Sequence, residues 1–304
     1  MQASRASCFA ALRIFSVGAF VLAGCSSHQG YTSLLSTQGL LETKAIVGSV
    51  ALENNPNLAS GLPLNQKQKS EIFISRPEYV ISWNKENRSL NWAAWLLEAH
   101  DLGKTHRTNS FAMDTDLDGY LSKLGMHAVS EKDYSGSCFD RGHQVPSADR
   151  TASVDENTAT FLMSNMLPQT AFLNRVIWEH LETHERSMVK DEGLKIQIFA
   201  GPLYSSNPTG IGPNADILIP SFNYKIIVPV RGSNAPSRQD PDMIVVKMPN
   251  VTSANTDPVT DHAQECADSH SDKVSPDLGS SDDWKQYQTT LDEVESLSGF
   301  RFFP

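Results

Sequence analysis

The sequence predicts an α+β domain behind an N-terminal export leader. Three observations carry that reading. The chain has 304 residues, 39% hydrophobic and 20% charged, which suits one large or two small globular domains. Strand-like and helix-like segments follow one another without regular βαβ alternation. No internal repeat is visible, and one apolar run, Ile14 to Gly24, stands apart at the N-terminus.

Residues 1–24 read as a signal. Arg5 and Arg13 flank the run, which is too short to span a bilayer as a helix. It ends in Leu22-Ala23-Gly24-Cys25, similar to a bacterial lipobox. The resemblance implies cleavage before Cys25 and acylation there, with several chains giving stable attachment. Ser26 follows, with no aspartate of the kind associated with inner-membrane retention. The expected location is the cell envelope, at the outer membrane, facing periplasm or exterior. Residues 25–69, rich in Ser, Gln, Asn, Leu and Gly, are expected to form a tether with at most one short helix, and 70–304 the folded domain.

Within that domain, Tyr79 to Trp83 has strand composition and 84–87 that of a turn. Asn91 to Leu97 fits a strand or a helix. Ser153 to Glu156 matches a capping box opening a helix to about Met163. Pro168 should break the chain before a second helix, Thr170 to Lys190. Ile196 to Ala200, Tyr224 to Val230 and Met243 to Met248 read as strands, and Asp292 to Leu297 as a closing helix. Trp83, Trp92 and Trp95 are expected in the core. Residues 250–283 hold eight acids against Lys273 and read as a long flexible loop. Of the cysteines, Cys138 and Cys266 would remain after processing. A disulfide between them is compatible with an oxidising compartment, though sequence cannot supply its geometry.

The formal net charge is −10, and cleavage of the leader would make it −12. That balance lacks the basic footprint of a general nucleic-acid binder. Much of the acidity sits in 250–283, so it does not exclude a local phosphate site.

Two patterns suggest metals weakly. Asp114 to Gly119 looks like the start of an EF-hand loop, but the twelfth position is Gly125 rather than an acid, so an acidic turn is expected. His262, Cys266 and His270 recur every four residues, but in acidic, loop-like surroundings where Cys266 has another possible partner.

The stronger pattern is Asp140-Arg141-Gly142-His143. On an extended segment Arg141 and His143 point to one side, putting a cation and a base before a single substrate. Gly142 would allow close backbone approach. On the helix 170–190, Leu173, Ile177 and Leu181 form an apolar stripe, and Asn174, Trp178 and Glu182 a neighbouring one. An amide oxygen and a carboxylate two turns apart suit Mg²⁺, which keeps several waters.

These blocks, with Ser164 to Gln169 between them, resemble the non-specific DNA/RNA endonuclease family. Tyr79 to Ser82, Asp133-Tyr134, Gly201 to Tyr204, Met248 to Asn250 and Leu291 to Pro304 extend the similarity over residues 70–304. The resemblance implies the ββα-metal (His-Me finger) nuclease fold, a central mixed or antiparallel sheet flanked by helices. It implies a sugar-non-specific endonuclease acting on DNA and RNA and leaving 5′-phosphate ends. His143 would be the general base, Asn174 the direct ligand of one Mg²⁺ (with Mn²⁺ an alternative ion), Glu182 the holder of metal-bound water and Arg141 the stabiliser of phosphoryl charge. Arg107 would be an upstream phosphate contact, although Ala112 and Met113 replace basic character often found nearby. Asn165 would support the site. The alternatives are a phosphodiesterase for smaller nucleotides and a catalytically silent envelope lipoprotein; the presence of all four central residues speaks against the second.

Overall fold

A computed structural model describes residues 45–303 apart from 233–234, 254–256, 259–261 and 271–273. The leader 1–24, Cys25 and the tether as far as residue 44 lie outside the described residues.

A seven-stranded mixed sheet forms the centre. Its strands are β1 (Ala45–Gly48), β2 (Ile72–Ser75), β3 (Val80–Asn84), β4 (Ser89–Leu97), β7 (Ile196–Leu203), β8 (Phe222–Pro229) and β9 (Ile244–Pro249), adjacent in that order. Strands β5 (Asp140–His143) and β6 (Met166–Gln169) pair separately. Only β1–β2 is parallel; the other pairs in the large sheet are antiparallel. The segment open between strand and helix is thus a strand, because it is buried on both faces over all nine residues.

Both sheet faces are covered, and side chains alternate between them. Ile72, Trp95, Ile198 and Ile227 point to one core. Phe73, Trp92, Phe199 and Tyr224 point to the other. Helix α3 (Trp178–Lys190) covers the first face through Trp178 and Leu181. Helix α5 (Leu291–Ser298) and Phe300, Phe302 and Phe303 close the second. Trp83, Trp92 and Trp95 are all core residues.

Two regions differ from expectation. Residues 45–69 were expected as tether, yet β1 joins the sheet edge and the following turns are anchored. Asn55 Nδ2 donates to Ser75 Oγ and the Arg76 carbonyl. Asn57 Oδ1 accepts from Leu96 N, and its Nδ2 donates to the Pro77 carbonyl. A linker-like composition here hides buried amides that satisfy backbone groups of the sheet. Residues 250–283 were expected as a flexible loop, yet they contain helix α4 (His262–Ser269). Asp268 accepts from Ser253, and His180 on α3 bonds Asp283 and the Pro276 carbonyl. Glu265, Asp268 and Asp283 here serve as partners rather than solvated charge. Cys138 and Cys266 are joined in a disulfide with Cα atoms 4.9 Å apart.

Helix α2 (Val154–Ala159) starts at Ser153, whose side chain accepts from Glu156 N, but stops four residues short of Met163. Asn165 Nδ2 captures the Thr160 carbonyl and turns the chain. Pro168 lies within β6 opposite Arg141 rather than breaking the chain; a two-stranded ribbon leaves an outer edge where no N–H is needed.

Candidate active site

The site is a strand pair followed by a helix. In β5 and β6, Arg141 faces Pro168, Gly142 faces Leu167 and His143 faces Met166. Thr170 then begins the helix: its N–H donates to Asn250 Oδ1, its hydroxyl donates to the Val251 carbonyl and accepts from Leu173 N. The first turn, Leu173–Ile177, is π-wound and continues into α3. Such widened turns recur at functional sites, and this one contains Asn174.

Arg141 and His143 share one side of β5, as period two requires. The Arg141 guanidinium lies 3.8 Å from the Phe111 ring centroid, and His143 meets the same ring edge-on at 5.6 Å. Phe161 packs against His143 at 4.8 Å and carries Arg107 on its face, also at 4.8 Å. Two cations therefore flank one imidazole on an aromatic base. Burial, then Arg107 and Arg141, hold the His143 pKa down at about 3. The ring bonds the Arg141 backbone, and Nε2 has no partner. The proton accordingly belongs on Nδ1 and the lone pair on Nε2.

Gly142 has a role different from the expected approach to substrate. A Cβ there would meet the Gln169 side chain at 2.0–2.5 Å, so glycine makes room for the neighbouring strand.

Asn174 Nδ2 donates to Asp140 Oδ2 at 2.8 Å. A carboxylate only accepts, so this contact decides the amide orientation and leaves Asn174 Oδ1 as the free donor atom for a cation. Arg175 clamps the same carboxylate through both oxygens, at 2.8 and 2.7 Å. Glu182 lies two turns along, beside Arg186 at 4.0 Å. Burial pushes its pKa up to about 7, against the attraction of Lys225 and Arg186. One amide oxygen and one carboxylate on the same helix fit a hard ion that retains water, as Mg²⁺ does.

Arg107 is an exposed side chain whose Nη1 donates to Ser147 Oγ at 2.7 Å. Asn165 is fully buried and touches no solvent. It accepts from Val145 N and donates to the Val145 carbonyl, holding the chain just past His143. A groove of about 360 Å³, lined in part by Tyr134, Phe139, Arg141, Arg175 and His270, opens beside Arg141.

The weaker patterns resolve otherwise. Asp114 caps helix α1 (Thr115–Leu121) and pairs with Arg76 at 2.7 Å. Cys266 has its sulfur in the disulfide, and among the described residues no group of three or more His, Cys, Asp or Glu could hold a metal.

Several contributors to the site carry no role that the sequence alone reveals. Asp140 was visible in the motif, but its task needs Arg175 and Asn174 beside it. Asp149 is buried, accepting from Trp95 Nε1 at 3.0 Å and pairing with Arg186 at 3.4 Å. Lys225 and Glu185 form a fully buried ion pair at 2.9 Å beneath α3. A lysine inside the apolar strand from Tyr224 was the one available signal for it.

The sequence profile described as DNA/RNA non-specific endonuclease matches residues 53–304. A nuclease of Nostoc sp. (strain PCC 7120 / SAG 25.82 / UTEX 2576) is 30% identical over 289 residues, spanning 93% of this chain and 88% of its own. Mitochondrial endonuclease G of Bos taurus is 28% identical over 214 residues, spanning 64% of this chain and 67% of its own. The solved structure titled "Crystal structure of the EndoG/EndoGI complex: Mechanism of EndoG inhibition" superposes with a TM-score of 0.58 at 23% identity, over 82% of this chain and 90% of that one. The fold is the ββα-metal nuclease fold that the motif resemblance implied.

Proposed function

The chain belongs to the DNA/RNA non-specific endonuclease family, and from that premise we propose that it is a Mg²⁺-dependent endonuclease cutting DNA and RNA to leave 5′-phosphate ends. The observation that carries this reading is His143, a buried neutral imidazole with an unpartnered Nε2 between two guanidinium groups.

His143 Nε2 takes the proton from the attacking water. Free of substrate it is a weak base, since burial and two cations disfavour the imidazolium. A bound phosphodiester brings negative charge to Arg107 and Arg141, and the imidazole pKa rises towards the range where it accepts a proton effectively. Arg141 stabilises charge developing on the phosphoryl oxygens. Arg107, held over the Phe161 ring, contacts the substrate phosphate beside His143. Asn174 Oδ1 would hold the ion directly, and Glu182 would orient its water. The ion, when bound, supplies Lewis-acid stabilisation of the phosphoryl and leaving 3′ oxygens. Phosphate and sugar contacts carry no base information, so cleavage without sequence preference follows.

The same proposal places the enzyme in a bacterial envelope, lipidated at Cys25; its support is the lipobox-like sequence alone. Cys25→Ser should shift the protein from membrane to soluble fraction, and unchanged partitioning would rule the anchor out.

The activity is tested with purified protein, plasmid DNA and RNA. Both should be digested in Mg²⁺, digestion should stop with a chelator, and His143→Ala should lose about a hundredfold or more in rate. Intact substrates with well-folded wild type would refute the reading.

A further inference from the structure

Helix α4 lies in the acidic segment that catalysis does not use, yet two of its residues reach the helix that carries Asn174 and a third is bonded to the chain just before β5. Glu265 is fully buried, and its Oε1 accepts from Ala171 N at 2.8 Å, in the turn where that helix begins. Cys266 is bonded to Cys138, 128 residues away in sequence and two residues before Asp140. The Ser269 carbonyl accepts from Arg175 Nη1 at 3.4 Å. Arg175 in turn grips Asp140, and Asp140 accepts from Asn174 Nδ2. These contacts close a ring: Cys138, Asp140, Arg175, Ser269, Cys266. Asn174 is bracketed within it, Ala171 on one side and Arg175 on the other.

Two physical points give the ring its importance. Helix α4 has eight residues, well below the length at which a helix is stable on its own, so it depends on tertiary anchors. Cys138 is a non-glycine residue at φ 63°. That left-handed backbone persists where the surroundings over-determine it.

We propose that the Cys138–Cys266 bridge and Glu265 are positioning groups for Asn174: they lock α4 against both halves of the ββα unit and thereby aim the Asn174 amide oxygen at the metal. This rests on the reading of Asn174 as the Mg²⁺ ligand. Without the bridge, α4 loses its covalent hold. The Ala171 N–H then loses its acceptor and Arg175 its carbonyl, so the Asp140 carboxylate that orients the amide is held from one side only. The loss should fall on metal affinity, because the ligand remains present but unaimed. Removing groups that orient metal ligands weakens binding by about ten- to a hundredfold.

The test uses the full chain carrying Cys138→Ser with Cys266→Ser, and separately Glu265→Ala and Glu265→Gln. Folding is checked by circular dichroism. Mn²⁺ binding is measured by calorimetry without substrate, and the Mg²⁺ dependence of plasmid cleavage is measured in parallel. The double serine variant and Glu265→Ala should bind Mn²⁺ at least about tenfold more weakly and require correspondingly more Mg²⁺. Saturating Mg²⁺ should restore most of kcat. Glu265→Gln, which keeps the oxygen acceptor for Ala171, should bind Mn²⁺ like wild type. Should the double variant not fold, the two Glu265 variants decide. Wild-type Mn²⁺ affinity in Glu265→Ala, or equal weakening in Glu265→Gln, overturns the proposal. Mn²⁺ binding by wild type with no cleavage of any substrate would instead count against the nuclease reading.

Discussion

The two faces of the central sheet are built from the same strands but solve different problems. The face under α5 is closed by aromatic packing: Phe302 lies 5.1 Å from Phe199 and 5.7 Å from Tyr224, and Trp92 meets Phe73 at 6.1 Å. The face under α3 has equally large side chains but also a buried ion pair. Lys225, one residue from Tyr224 and therefore on the opposite face, pairs with Glu185 at 2.9 Å and sits 4.3 Å from the Trp178 ring. Asp149, Arg186 and Glu182 continue the charges towards the site. Burying charge is expensive and seldom improves stability over apolar packing. The fully buried pair of Lys225 and Glu185 fits a face organised around Glu182, whereas under α5 the pair of Glu295 and Arg238 is partly exposed and the aromatic packing holds the fold together.

The largest expected effects break the two faces separately. Lys225→Met leaves Glu185 buried and unpaired and should destabilise by about 3–5 kcal/mol. Phe302→Ala should cost a similar amount, about 3–5 kcal/mol, through the cavity it leaves. Urea unfolding measures both. The faces part company in rescue and rate. Lys225→Met combined with Glu185→Leu should regain stability but cleave more slowly at pH 7, since Glu182 has lost its strongest attractive charge. Phe302→Ala should cleave at the wild-type rate while folded. Full activity in the double variant would make the ion pair purely structural.

A pH profile sharpens the same contrast. In the proposed reaction Glu182 must be ionised to orient water, and burial holds its pKa at about 7 without a cation. In the substrate-free protein His143 is neutral throughout that range. Cleavage should therefore rise as pH increases through about 7 at low Mg²⁺, and the acid limb should move to lower pH as Mg²⁺ is raised, because a cation favours the carboxylate. A limb that ignores Mg²⁺ and persists in Glu182→Gln would assign it to another group. The smallest effect is Ser153→Ala, which removes the cap of α2 away from the buried charges. It should cost about 1 kcal/mol in urea unfolding and leave kcat unchanged.

Much of the site was legible because its signals are local. Arg141 and His143 are two residues apart on a strand, and Asn174 and Glu182 are eight apart on a helix, so backbone geometry alone brings each pair to one side. The same holds for the alternating strands and for Ser153 as a cap. Misreadings came where composition stood in for contact. Asn55 and Asn57 looked like linker and are buried; Glu265 and Asp268 looked like solvated charge and hold backbone and hydroxyl groups. Gly142 appeared made for substrate and makes room for Gln169.

From sequence alone came the α+β class, several of the strands and helices and the four residues of the proposed chemistry, because periods of 2 and 3.6 are properties of the chain itself. Tertiary structure alone decided which nitrogen of His143 is free, which way the Asn174 amide turns, and that Lys225 pairs with Glu185. It also joined Cys138 to Cys266. The amide orientation, the ion pair and the disulfide depend on groups brought together from 34 to 128 residues apart, and no local pattern encodes a partner that only folding brings within reach.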